Sequence, residues 1–181
     1  MIKQKGVTLI EMLITLAIMA IAITAVAPSI QSILIKNRIV GEINELSAVI
    51  QFARSQAIDQ QITTMVCPSS DYSVCSNNWN DPKIVFIDSD GSGDRGASEE
   101  LLATTGAISD NNELSGPVNP LFFSATGEAA ANSSLILCHV NKQAEYARQL
   151  SLSLQGRVKM SSDSDRNGIH EDTTGTPLSC P

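Results

Sequence analysis

Residues 1–30 read MIKQKG-VTLIEMLITLAIMAIAITAVAPSI, and their order decides the fold. A short leader with Lys3 and Lys5 ends at Gly6, and about two dozen residues follow that are apolar except for Glu11 and a few hydroxyls. An ordinary secretory signal is cut behind its apolar stretch, at an A-x-A-like site. Here the best cut site, Lys5-Gly6 before Val7, precedes that stretch. Cleavage there removes residues 1–6 and leaves the greasy helix on the mature protein. Such a helix has a use only as a membrane anchor first and as packing material afterwards. About 20 apolar residues suffice to cross hydrocarbon, so 7–30 is read as the anchor and fibre-core segment.

Glu11 is costly in that position. A carboxylate entering hydrocarbon costs about 2.5–3.5 kcal/mol on insertion scales, so intramembrane acids generally have a partner and a role. The plainer alternative is an interfacial acid that snorkels or protonates. Beyond the anchor the helix is expected to continue to about Gln60, roughly 80 Å at 1.5 Å per residue. Pro28 lacks an N–H and clashes with the carbonyl four residues back, which predicts a kink or loosening there. Over 31–61 the pattern turns amphipathic. Ile39, Ile43, Leu46, Ile50 and Ala53 or Ala57 recur every three or four residues, with Lys36, Arg38, Glu42, Glu45 and Arg54 mainly between them. That stripe needs a cover, and the rest of the chain, 62–181, is the candidate; a free coiled coil is the poorer reading, because the stripe is short and strands follow at once.

From residue 62 the pattern is β. Runs at 62–67, 83–88, 101–105, 121–125, 134–140, 147–154 and 157–161 are rich in Val, Ile, Leu, Phe and Thr and separated by turn residues. Leu150, Leu152 and Leu154 alternate with serines, as on a half-buried strand, and Gln155-Gly156 reads as a tight turn. Residues 106–120 read as a loop and 161–181 as an irregular polar tail. The expected class is α+β, with a long N-terminal helix packed on two small antiparallel sheets. Four cysteines behind an export-type N-terminus point to an oxidising compartment and two disulfides. Of three connectivities, Cys67–Cys75 closes a short loop and Cys138–Cys180 ties down the tail, and this pairing is expected. A zinc site is the poorer alternative, because no C-x-x-C or Cys/His spacing is present.

The segment Gly6-Val7-Thr8-Leu9-Ile10-Glu11 followed by an apolar helix resembles the leader of type IV pilins and type II secretion pseudopilins. Val7 departs from the Phe usual in major pilins; minor members accept other residues. The resemblance implies cleavage by a prepilin peptidase after Gly6, methylation of the new amine at Val7, and pairing of Glu11 with the terminal amine of a neighbouring subunit. Downstream, Cys67-Pro68 … Cys75 … Trp79 … Ile84-Val85-Phe86-Ile87-Asp88, then Phe123 … Gly127 and Gly156-Arg157-Val158, resemble the domain of FimT- and FimU-type minor pilins and the H-type pseudopilin. The cysteine pair in the first β segment is more like the pilus members. The resemblance implies a type IV pilin-like fold. The partners it implies are other minor pilins and the major pilin, the inner-membrane assembly platform and, before assembly, membrane lipid.

No triad, G-x-S-x-G or H-E-x-x-H pattern suggests an enzyme. Cys138 and His139 are adjacent, so on a strand they face opposite ways. The chain carries −7 overall; losing the two leader lysines leaves 10 basic against 19 acidic residues, or −9. Such a chain is no general nucleic-acid binder. A DNA contact would need a local basic patch, and the candidate is Gly156-Arg157-Val158-Lys159, with Arg148 or Lys142 adding charge. FimT-like proteins of DNA uptake carry a similar Gly-Arg-x-Arg; here Lys159 gives up the bidentate fork. The plain alternative is a pair of solvated strand residues. Two acidic loops have calcium-loop spacing. Asp88–Glu99 carries oxygen ligands at positions one, three and five, Gly93 at six and Glu99 at twelve, but Arg95 sits where an apolar anchor belongs, and a solvated turn is the expected reading. Asp163-x-Asp165-x-Asn167-Gly168 followed by Glu171 starts like a calcium loop and has Thr174 at twelve. Calcium at this second loop is the one ion the sequence raises; no other cofactor is expected.

Overall fold

The computed structural model describes residues 6–181, apart from the side chains of 25–28. Most of the leader, and what the Pro28 ring does within its helix, fall outside the described residues. The chain forms two compact units, up to Asn37 and from Arg38 on. One helix, α1 (Leu9–Gln60), contributes to both.

In the first unit, every described side chain from Val7 to Ile23 is exposed, Leu9 by 77%. The helix is long and apolar enough to cross a membrane. Its start is a reciprocal capping box. Thr8 Oγ1 accepts the Glu11 N–H at 3.3 Å, and the Thr8 N–H reaches the Glu11 carboxylate at 3.4 Å. The T-x-x-E spelling was available in the sequence, so Glu11 has a local structural role besides any intermolecular one.

In the second unit, Ile39, Ile43, Leu46, Ile50, Ala53 and Ala57 are the buried stripe of the helix. The helix ends in a Schellman-type turn. The Ile62 N–H bonds the Ala57 carbonyl at 3.1 Å, and Gln61 adopts the left-handed conformation, φ 56°, that glycine usually supplies. Eight strands follow: β1 (Thr64–Pro68), β2 (Lys83–Ile87), β3 (Leu101–Thr104), β4 (Asn112–Ser115), β5 (Leu121–Phe123), β6 (Ser133–His139), β7 (Arg148–Leu152) and β8 (Val158–Met160). They form two antiparallel sheets, ordered β3-β2-β1-β5 and β4-β6-β7-β8.

β1 and β2 read as largely apolar runs because these two central strands of the first sheet are buried on both faces. Thr64 and Val66 share one face; Thr64 Oγ1 donates to the Ala53 carbonyl of α1 at 2.9 Å. Met65, Cys67, Ile84 and Phe86 form a small core on the other, closed by Cys75, Leu101 and Phe122. The Cys67–Cys75 bridge sits there. In the second sheet, Leu135, Leu137, Leu150 and Leu152 are buried on one face. The opposite face carries Cys138, which with Ala147 and Leu178 makes a second cluster beside the Cys138–Cys180 bridge.

Three expectations need correction. The segment 106–120 is not all loop, since β4 lies within it and pairs with β6 at the sheet edge. Its single apolar residue, Leu114, is too weak a local pattern to mark a strand; the exposed edge of β6 makes it one. The tail 161–181 is not wholly irregular either. Ser162 pairs with Glu171, and Glu171 with Pro177, as isolated bridges. Leu154 lies past the end of β7 and is exposed, so the alternating run stops two residues early.

Candidate functional site

No nucleophile–base pair is assembled at the sequence candidates. His139 lies edge-on to Tyr146, with ring centroids 5.8 Å apart, and Cys138 is held in its disulfide. The surfaces to weigh are the processing segment, the turn after β7, the groove beside it and the two acidic loops.

Gly6 and Val7 lie ahead of α1 and are exposed, with nothing within 4 Å of where a Gly6 Cβ would stand. Glu11 follows on the first turn of the helix, exposed.

The β7–β8 turn is held by an arginine that the sequence reading placed only among the polar residues of the helix. Arg54 Nε donates to the Gly127 carbonyl at 2.9 Å and its Nη2 to the Gln155 carbonyl at 3.1 Å. One guanidinium thus joins turns from both sheets to α1. Gly156 has φ 71°, and a Cβ there would stand 2.0 Å from the Gly127 carbonyl oxygen and 2.5 Å from Arg54 Nε. Glycine is required by conformation and by space. This clamp aims Arg157 outward.

Arg157 and Lys159 lie on the same side of β8, opposite to Val158, and both are exposed. They border a groove of about 730 Å³ with Ser134, Gln149, Ser151, Leu152 and Thr173. Arg148 is not with them. It pairs with Leu137 on the other face, and its Nη1 donates to the carbonyls of Glu145 and Ala147 at 3.1 and 2.7 Å. Burial lowers its pKa, and the nearby Asp163 opposes that shift. Lys142 lies away from the groove, its Nζ donating to the Pro181 carbonyl at 2.6 Å.

The two acidic loops differ. In 88–99, burial pushes the Glu99 carboxyl up, but the N–H groups of Gly96 and Ser89 and the Ser89 hydroxyl outweigh it and leave its pKa lowered. Asp88 is raised, chiefly by burial. In 163–171, Asp163, Asp165 and Glu171 each bring an oxygen within 4.8 Å of the others, as Asp88, Asp90 and Glu99 do.

A buried lysine was missed. Lys83 is 1% exposed, and burial lowers its pKa to about 8 against the pull of Glu42, Glu45 and Asp81. Its neighbour Glu42 also accepts the Ser109 N–H at 3.1 Å and the Asn112 amide at 2.7 Å, which ties β4 and its preceding loop to α1. A Glu on the edge of an amphipathic stripe was the available sign.

A family model described as type II transport protein GspH matches residues 42–156, more than half of the chain. The chain belongs to the GspH family. A second model, the prokaryotic N-terminal methylation motif, matches residues 1–27. Among solved structures, the type IV minor pilin FimU of Pseudomonas aeruginosa has a TM-score of 0.57 at 22% identity, over 70% of this chain and 90% of that one. The minor pseudopilin EpsH of the Vibrio cholerae type II secretion system has a TM-score of 0.50 at 11% identity, over 71% and 99%. These likenesses carry the fold. No curated protein matches the sequence. With its methylation motif and GspH-type domain, the chain is a FimT/FimU/GspH-type minor pilin or pseudopilin, a structural family and not an enzymatic one. The motif and the apolar helix give the subunit a membrane anchor before assembly.

Proposed function

We propose that this GspH-family chain is a minor pilin of a type IV pilus that primes assembly at or near the tip. The observation that carries the reading is the exposed apolar helix with one acid, Glu11, five residues beyond Gly6. A prepilin peptidase cuts after Gly6, the amine of Val7 is methylated, and the helix waits in the inner membrane with the β unit in the periplasm. Glu11 then exchanges its local cap for the terminal amine of a neighbour as apolar helices bundle. Leu9, Leu13, Leu16 and Ile21 supply close packing, which drives helix association where no water is excluded. The inner-membrane platform and the major pilin are the remaining partners. The Cys67–Cys75 bridge, a feature more like the pilus members, favours the pilus over secretion.

The test is sheared surface fibres from a deletion strain, complemented with wild type or with Glu11→Ala. Fibres should be lost, return with wild type and stay absent with the variant. The second reading is the H-type pseudopilin of a type II secretion system, which the family model favours. It predicts unchanged fibres and a loss of exoprotein release in the same strains. A third role, weak DNA capture on the pilus, is favoured by Arg157 and Lys159 sharing the rim of one groove. Gel shifts at low salt should then weaken in Arg157→Ala/Lys159→Ala, with a steep dependence on salt. Equal shifts by wild type and variant remove the role.

A further inference from the structure

The tail loop 163–171 is folded like a cation loop and leaves a buried oxygen unanswered. Asp163 Oδ1 accepts the Asn167 N–H at 3.1 Å and Oδ2 the Gly168 N–H at 3.0 Å. Asp165 Oδ1 accepts the same Asn167 N–H at 3.1 Å, and Asn167 Oδ1 accepts the Ile169 N–H at 2.7 Å. Gly168 has φ 91°, which allows the sharp turn. Each of these oxygens keeps a second lone pair.

Glu171 is the decisive residue. It is 6% exposed, and its Oε2 accepts the Ser164 N–H at 2.7 Å. Its Oε1 is buried with no hydrogen-bond partner among the described residues. A carboxylate oxygen buried without a partner forfeits the hydrogen bonds it made to water, and two further carboxylates lie within 4.8 Å of it. Arg148 does not answer it; the hydrogen bonds of its Nη1 go to Glu145 and Ala147. A cation would satisfy all three acids at once.

We infer that loop 163–171 binds one calcium ion through Asp163, Asp165, Asn167 and Glu171. These are positions one, three, five and nine of a calcium loop, with glycine at six. The donors are all hard oxygens, which excludes a soft-metal site. Position twelve, Thr174, is turned to Asp172 at 2.7 Å, so the buried Glu171 at nine takes over as the closing ligand. The affinity belongs to extracellular modules, about 10⁻⁴–10⁻³ M, because only three carboxylates contribute. The ion fixes Glu171, whose backbone pairs with Ser162 and Pro177, and thereby orders the tail beside β7. The loop 88–99 is the internal control. Its Glu99 has both oxygens bonded by its own loop, and among the described residues none of its buried carboxylate oxygens lacks a partner.

The experiment uses the full chain in detergent, disulfides intact, stripped with a chelator and titrated with calcium or magnesium chloride by calorimetry. Hydrogen exchange over residues 161–178 is followed in parallel. One calcium per chain should bind, magnesium should bind far more weakly, and exchange in the tail should slow on binding. Glu171→Gln and, separately, the exposed Asp165→Asn should each weaken calcium at least about tenfold through loss of ligand charge. Glu99→Gln should leave binding unchanged. Circular dichroism checks that each variant is folded, and Asp165→Asn decides the matter if Glu171→Gln is not. No calcium heat up to about 10 mM, beyond the range of extracellular modules, overturns the inference. So does binding that survives the tail variants or is lost with Glu99→Gln.

Discussion

The two halves of α1 share one secondary structure and nothing else. From Leu9 to Ile23 the helix is apolar all round and exposed all round. From Arg38 to Gln60 it carries a narrow apolar stripe, and that stripe is buried to within a few per cent. A helix apolar on every side must be covered by lipid or by other helices, whereas a striped one is completed by its own domain. The first half therefore serves the anchor and the assembly, and the second half serves the fold. Polar residues follow the same division. Among the described residues Glu11 bonds within its own first turn, while Glu42 and Arg54 reach strands and turns 67 to 101 residues away.

Paired substitutions can break this comparison. Ile50, fully buried, should cost about 2–5 kcal/mol of domain stability as Ile50→Ala, from lost transfer energy and the cavity left behind. Ile18→Ala, at an exposed position in the first half, should leave chemical denaturation of the β-rich unit unchanged. Equal effects in urea titrations of the full chain would dissolve the distinction.

A pH titration sharpens it. The unfolded Lys83 keeps its proton to about pH 10.5, the folded one only to about pH 8. Between those values the unfolded state holds more protons, so stability should rise with pH there and flatten below pH 8. Tyr146, whose pKa is raised by burial, works the other way above pH 10. Thermal melts from pH 7 to pH 9.5 should show the rise, and Lys83→Met should abolish it. No slope in the wild type would mean that Glu42, Glu45 and Asp81 hold the lysine charged.

The smallest effect belongs to the helix end. Gln61→Gly removes a left-handed strain but also the Gln61 Nε2 bond to the Ile58 carbonyl at 2.7 Å. A net gain of up to about 1 kcal/mol is expected, read as a shift in the denaturation midpoint. A loss would show that the side-chain bond outweighs the strain.

Much of this was legible because it is written in short-range patterns. The position of Gly6 before an apolar run, the lone Glu11, the stripe Ile39–Ala57 and seven of the strands depend on residues a few places apart. The Gly156 turn was legible for the same reason. What the sequence left open depends on register and distance. β4 exists because β6 offers an edge, not because Asn112–Ser115 prefers extension. Arg148 and Arg157 look equivalent in a linear patch, yet strand pairing sends them to opposite faces of a sheet. Arg54 reads as one more polar residue on a helix until two turns from different sheets are folded under it. The same holds for the acidic loops. In the sequence, Arg95 already counts against 88–99 and points to 163–171, but only folding shows that the Glu99 oxygens are used up within their own loop while a Glu171 oxygen is left without a partner. Local order was set by sequence periodicity; which polar groups meet, and which one is left without a partner, was decided only when distant segments were brought together.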